Sequence, residues 1–166
     1  MMLGMSLSTF TFVHVLISLV GIASGLIVLY GFLADKRMDG LTALFLTTTV
    51  LTSVTGFMFP FEHFSPADTF GVISLVVLTI AIAARYAFHL AGGWRTTFVV
   101  TSALALYLNC FVAVVQSFLK IPALHALAPQ GKEPPFLVAQ LVVFFIFVVL
   151  TILAAKKFRV QSGQAA

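Results

Sequence analysis

Residues 69–93 read TFGVISLVVLTIAIAARYAFHLAGG, and whether this stretch crosses a bilayer decides between four spans and five. Its charge-free part, Thr69 to Ala84, is short for a hydrocarbon core that takes about 20 mostly apolar residues to cross as a helix. Beyond Arg85 the apolar residues resume as far as Gly92. A helix over 69–91 is therefore long enough, provided that Arg85 lays its apolar stem along the helix and carries its charge toward the headgroups or to Asp35.

On either side the pattern is clearer. Charge-free runs from Met1 to Ala34, Gly40 to Phe61, Thr96 to Leu119 and Pro134 to Ala155 each reach spanning length. With 166 residues, 61% of them hydrophobic and 8% charged, the chain carries more apolar surface than a soluble domain of its size can bury. The sequence predicts one all-α integral membrane domain over residues 1–166, a bundle of five transmembrane helices near 9–34, 41–60, 69–91, 95–119 and 135–156. A cleaved leader does not fit the N-terminus, because no Lys or Arg precedes the apolar run and that run continues to Leu33 without a cleavage site. Cys110 is the single cysteine, so no intramolecular disulfide can form.

Basic residues set the expected orientation. Lys36, Arg37, Arg85, Arg95, Lys156, Lys157 and Arg159 fall on one side of the five-span arrangement, and only Lys120 and Lys132 on the other. The N-terminus is predicted outside and the C-terminus in the cytoplasm. The net charge of +4 then reflects insertion and anionic headgroups, with the lipid bilayer as partner and no nucleic acid.

Helices in lipid associate through small residues and shared polar contacts. On helix 1, Gly25, Gly21, Ser18 and His14 recur on one face, which places His14 within about 10 Å of the outer boundary. On helix 4, Ser102, Ala105, Asn109, Ala113 and Gln116 form a comparable face, with Asn109 near mid-membrane as a structural polar group. Helix 5 carries Gln140 near its outer end with Thr151 on the same side, and helix 3 carries Ala83, Ala87 and Ala91 at spacing four. The many Thr and Ser residues of helix 2 can bond the carbonyl one turn back, so they define no site by themselves.

These positions give a candidate site. His14, Gln116 and Gln140 are expected at similar depth in the outer half, with Glu62, His63 and Asp68 of the loop FPFEHFSPADTF (59–70) as an outer rim. The plainer alternative is that an outward loop needs polar residues to stay among headgroups, and that His14 is a neutral imidazole bonded to a neighbouring helix. Arg85 is expected to be structural, with His89 one turn further on the same inner segment.

Two cofactors suit such a site. A quinone asks for an apolar slot, aromatic walls and one or two donors, which His14, Gln116 and Gln140 among Phe59, Phe61, Phe111 and Phe118 supply. Haem b would take His14 as one axial ligand, with His63 or Met58 as the available second. A metal site from His14, His63 and His125 with Glu62, Asp68 and Glu133 lacks any recognisable ligand spacing. The segment KIPALHALAPQGKEPPF reads instead as a short interfacial helix begun by Pro122 and ended by Pro129, with Leu124 and Leu127 toward the membrane.

The segments HVLISLVGIASGLIVLYGF and TSVTGFMFPFEHFSPADTFGVISLVVLTIAIAARYAFHLAGGW resemble a family of small bacterial multi-span inner-membrane proteins of uncharacterised activity, through the helix-1 His ahead of small residues, the Gly-Phe that ends helix 2 and the short Pro/His loop. The chain is also distantly similar to b-type cytochrome bundles. The first resemblance implies a bacterial inner (plasma) membrane location. The expected function is a non-enzymatic accessory or assembly partner of a larger membrane complex, alongside other membrane proteins. The alternative is a redox-linked protein binding a quinone or haem in the outer half.

Overall fold

The structure, a computed structural model, describes residues 4–60 and 66–159. It is all-helical among those residues: α1 (Leu7–Leu33), α2 (Asp39–Gly56), α3 (Pro66–Ile82) followed by a π-helical turn (Ala83–Ala87), α4 (Gly93–Lys120), the short α5 (Pro122–Leu127) and α6 (Pro134–Lys157). Four helical segments, α1, α3 with its π turn, α4 and α6, are long and apolar enough to cross a membrane. The 18 residues of α2 are less apolar, because they include Asp39 and a run of Thr and Ser side chains.

Local chemistry explains where these helices begin and end. Ser6 caps α1 by accepting the Thr9 N–H at 3.2 Å. At the other end Asp35 adopts a left-handed φ of 52°. The Lys36 N–H then reaches the Gly31 carbonyl at 2.8 Å and the Asp35 N–H reaches that of Phe32, a closing pattern usually built on glycine. Pro122 opens α5 and Pro134 opens α6, where a missing N–H costs nothing. The expected short helix after Pro122 is thus present, and Leu127 is exposed on it.

The third segment departs from expectation. It does not run as one α-helix to residue 91: the Phe88 N–H reaches back five residues to Ala83, and left-handed φ values at His89, Leu90 and Gly92 end the helical path. The extra residue in this turn rotates the side chains after it about the helix axis. Ala81 and Ala84 are fully buried, whereas Ala87 and Ala91 are exposed, so the contact stripe is not Ala83, Ala87 and Ala91.

Helix α4 is the centre of the bundle and packs against α1, α2, α3 and α6, while α1 packs most extensively on α2. At one end the packing is tight. Phe32 lies edge-on to Phe98 at 5.5 Å and tilted on Phe158 at 4.8 Å, and Phe45, Leu78 and Leu106 complete a buried cluster. Two polar ties close this end: the Asp35 carboxylate accepts the Arg159 N–H at 2.7 Å, and Arg85 donates to Asp39. Arg85 is only 6% exposed, with its guanidinium 5.4 Å from the Phe98 ring centre. Its partner is therefore Asp39 rather than Asp35, and the π turn sets its side chain among buried groups.

Candidate functional site

Along α1 the distance to its neighbours grows from the tight end outward. A Cβ built at Gly25 would lie 2.6 Å from Leu106 and 2.8 Å from the Phe45 ring. At Gly21 it would be 3.2 Å from Thr48 Oγ1 and 3.4 Å from Asn109 Nδ2. One to two turns further, the nearest approach between Gly56 of α2 and His14 of α1 has relaxed to 3.9 Å for the same construction. Beyond Gly21 the helices leave a cavity of about 700 Å³ between α1, α2, α3 and α4. That volume falls in the range of about 300–1,000 Å³ usual for small-molecule sites.

The cavity is mostly apolar, with walls that include Leu19, Ile22, Phe57, Phe59, Phe70 and Val112. Polar groups enter it from all four helices, with Thr52 and Ser53 on α2. His14 and Ser18 come from α1, Asn109, Gln116 and Lys120 from α4, and Asp68 and Ser74 from α3. The α4 residues recur at three- and four-residue steps and so line one face of the helix. Asn109 stands at the floor: its Nδ2 is buried against Gly21 without a hydrogen-bond partner among the described residues. Lys120 is exposed at the mouth.

His14 is the best-positioned of these groups. Its Nδ1 lies 2.8 Å from Thr55 Oγ1, and its ring packs edge-on against Phe59 at 5.1 Å, which in turn meets Phe10 at 5.0 Å. The hydroxyls of α2 behave as their sequence suggests: Thr48, Thr49 and Thr55 each donate to a carbonyl one turn back at 2.6–2.7 Å. Ser53 additionally reaches Ser74 of α3 at 3.1 Å.

Of the three side chains expected to form the site, the structure brings His14 and Gln116 together. Gln140 is not among the cavity-lining residues. It is buried on α6, where its Nε2 donates to the Phe111 carbonyl at 3.2 Å and its Oε1 has no partner among the described residues. It ties α6 to α4. Of the expected rim, Glu62 and His63 lie outside the described residues, whereas Asp68 is buried in the first turn of α3 and lines the cavity. A carboxylate in that turn also suits the helix dipole.

The phenylalanines expected around the site divide, and Phe61 lies outside the described residues. Phe59 lines the cavity; Phe111 packs on Phe70 at 4.8 Å and Phe118 on Phe136 at 5.4 Å, so both serve helix contacts. Asn109, expected as structural, contributes to the floor instead of only bridging helices. Among the described residues no cluster of three or more His, Cys, Asp and Glu side chains could hold a metal ion. His14 is the single imidazole among the described cavity-lining residues, and neither a thioether nor a thiol accompanies it there. Outside the cavity, on the α5–α6 connection, Glu133 accepts the N–H groups of Lys132 at 2.9 Å and Gln130 at 3.0 Å, which holds its carboxyl below the usual range.

Compared with known proteins, the chain matches no family model, no curated protein sequence and no solved structure.

Proposed function

We propose that this is a multi-pass membrane protein whose working site is the cavity between α1 and α4, and that it binds the headgroup of a quinone-type lipid there. The observation that carries this reading is that His14 of α1 and Gln116 and Lys120 of α4 line the same mostly apolar cavity. A quinone headgroup is a flat apolar ring with two oxygens on opposite sides. It needs hydrogen-bonding groups on two facing walls and apolar surface between them, and α1 and α4 present that arrangement. Haem would take His14 as one axial ligand; of the two expected second ligands, Met58 does not line the cavity and His63 lies outside the described residues.

The proposed topology has α2 as a fifth span, its hydroxyls satisfied within the helix so that they can sit in lipid. The basic tight end faces the cytoplasm and the cavity faces outward, in a bacterial inner membrane. A reporter fused at Asp39 would then remain cytoplasmic, and export of that reporter would overturn the orientation.

Solvent extraction of the detergent-purified protein, with quinone quantified per chain, tests the ligand. Wild-type protein should carry quinone in near-stoichiometric amount, and Ala113→Trp, which fills the cavity from α4, should lose it. A wild type free of quinone that also fails to bind an added short-chain quinone would overturn the reading. A Soret band in the visible spectrum would replace quinone by haem.

A second reading, as an assembly partner within a larger membrane complex, rests on α6. Only Gln140, Phe147 and Ala154 of that helix are buried, and Val138, Phe145 and Val149 are each more than half exposed. Stoichiometric co-purification of another membrane protein, lost on substituting Phe145 and Val149, would favour it.

A further inference from the structure

We infer that Thr55 locks His14 in the tautomer protonated on Nδ1, so that the site presents a hydrogen-bond acceptor to its ligand and selects the quinol over the quinone. This deepens the quinone reading and rests on it.

The placement of one hydrogen decides the tautomer. Thr55 Oγ1 lies 2.6 Å from the Leu51 carbonyl oxygen. Two oxygens that close repel unless a proton lies between them, and a carbonyl has none to give. The hydroxyl hydrogen is therefore committed to Leu51, and toward His14 Thr55 offers only a lone pair. The contact of 2.8 Å between Thr55 Oγ1 and His14 Nδ1 then requires the imidazole to donate. A neutral imidazole has one N–H, so with Nδ1 protonated Nε2 carries a lone pair. Nε2 makes no hydrogen bond to a described residue, and the ring that bears it lines the cavity.

The two redox forms of a quinone differ in what they can offer this nitrogen. A quinol hydroxyl donates a proton to it, whereas a quinone carbonyl brings a second lone pair. On the opposite wall the Gln116 amide either donates or accepts, and the Lys120 ammonium donates. Those groups serve the distal oxygen of either form, so on the two facing walls of α1 and α4 the discrimination falls to His14. Thr55 acts as a positioning residue through it.

The test is an equilibrium titration in detergent at about pH 8, where an unperturbed imidazole is neutral, using a short-chain benzoquinone and its reduced quinol under argon. Wild-type protein should bind the quinol about 3- to 10-fold more tightly, the worth of one hydrogen bond. Thr55→Val, which removes the acceptor, should abolish or reverse that preference, and Thr55→Ser should retain it. A ¹⁵N spectrum of histidine-labelled protein without ligand reads the tautomer directly: His14 should show an unprotonated Nε2, lost in Thr55→Val. Equal binding of both forms by wild type, or an Nε2-protonated ring, overturns the inference while leaving the quinone reading standing. Binding of neither form overturns both.

Discussion

The two ends of the bundle are built from the same materials, small residues on α1 facing polar and aromatic residues on α2 and α4, yet one is sealed and the other open. At the tight end Gly25 lets Leu106 and Phe45 close to the α1 backbone, and Phe98, Leu106 and Phe45 are at most 1% exposed. At the other end Gly56, Ser18 and Ala113 also have little side chain, but no large residue moves in to occupy the space, and a 700 Å³ cavity remains. Small residues leave no void only where the facing helix closes on them or presents a side chain that fills the gap. Where the facing residues are His14, Asn109 and Gln116, filling the gap would strand their polar groups in an apolar interior. The sealed end thus supplies stability, and the open end is released from that duty.

The sharpest way to break this contrast is to enlarge a glycine at each end. Gly25→Val should destabilise the protein by about 3 kcal/mol, since its new atoms meet the Phe45 ring and Leu106 in a filled core. Gly56→Ala should change stability by no more than about 1 kcal/mol, and toward greater stability, because its methyl reaches only ordinary contact with His14 and Ala is the better helix former. Chemical unfolding in detergent micelles measures both, and similar effects at the two sites would refute the division.

A smaller effect concerns the Arg85 tie. Asp39→Ala leaves a buried guanidinium without its carboxylate, a change worth about 3–5 kcal/mol when both charges are buried. Asp39 itself is largely exposed, so solvent reduces the cost to about 1–2 kcal/mol. The double variant Asp39→Ala with Arg85→Met should recover part of that loss in the same assay. If the double variant is the less stable of the two, Arg85 contributes packing that its partner does not control.

The smallest difference separates two glutamines. Gln116→Leu should weaken quinone binding about 3- to 10-fold by removing one hydrogen bond from the cavity wall. Gln140→Leu should leave affinity unchanged, since that side chain bonds the Phe111 carbonyl outside the cavity. Titration of the two variants in parallel would show whether the cavity edge lies between them.

Much of this arrangement is legible in the sequence. The face of His14, Ser18, Gly21 and Gly25 on α1 and that of Ser102, Asn109, Ala113 and Gln116 on α4 follow from helical spacing, and both occupy the interior. What spacing cannot convey is rotation without a marker. α6 is apolar all round, so the depth of Gln140 can be read but not the direction in which it points. The alanine stripe of the third segment fails for another reason: the π turn inserts a residue that no single side chain announces, and it carries Arg85 inward. Asp68 does have a signal in the sequence. The pair Ser65-Pro66 has the residue types of a helix cap and a first-turn proline, and α3 begins at Pro66, early enough to make Asp68 helical rather than part of a loop.

The most direct test of the open end as the working site is photolabelling with an azido-substituted short-chain quinone, followed by mapping of the modified peptides. Label is expected on α4 between Asn109 and Lys120 and on the α2 end around Thr55 to Phe59, competed away by unlabelled quinol. Label spread along the exposed face of α6, unaffected by competitor, would contradict it and return the molecule to a role played through its lipid- and protein-facing surface.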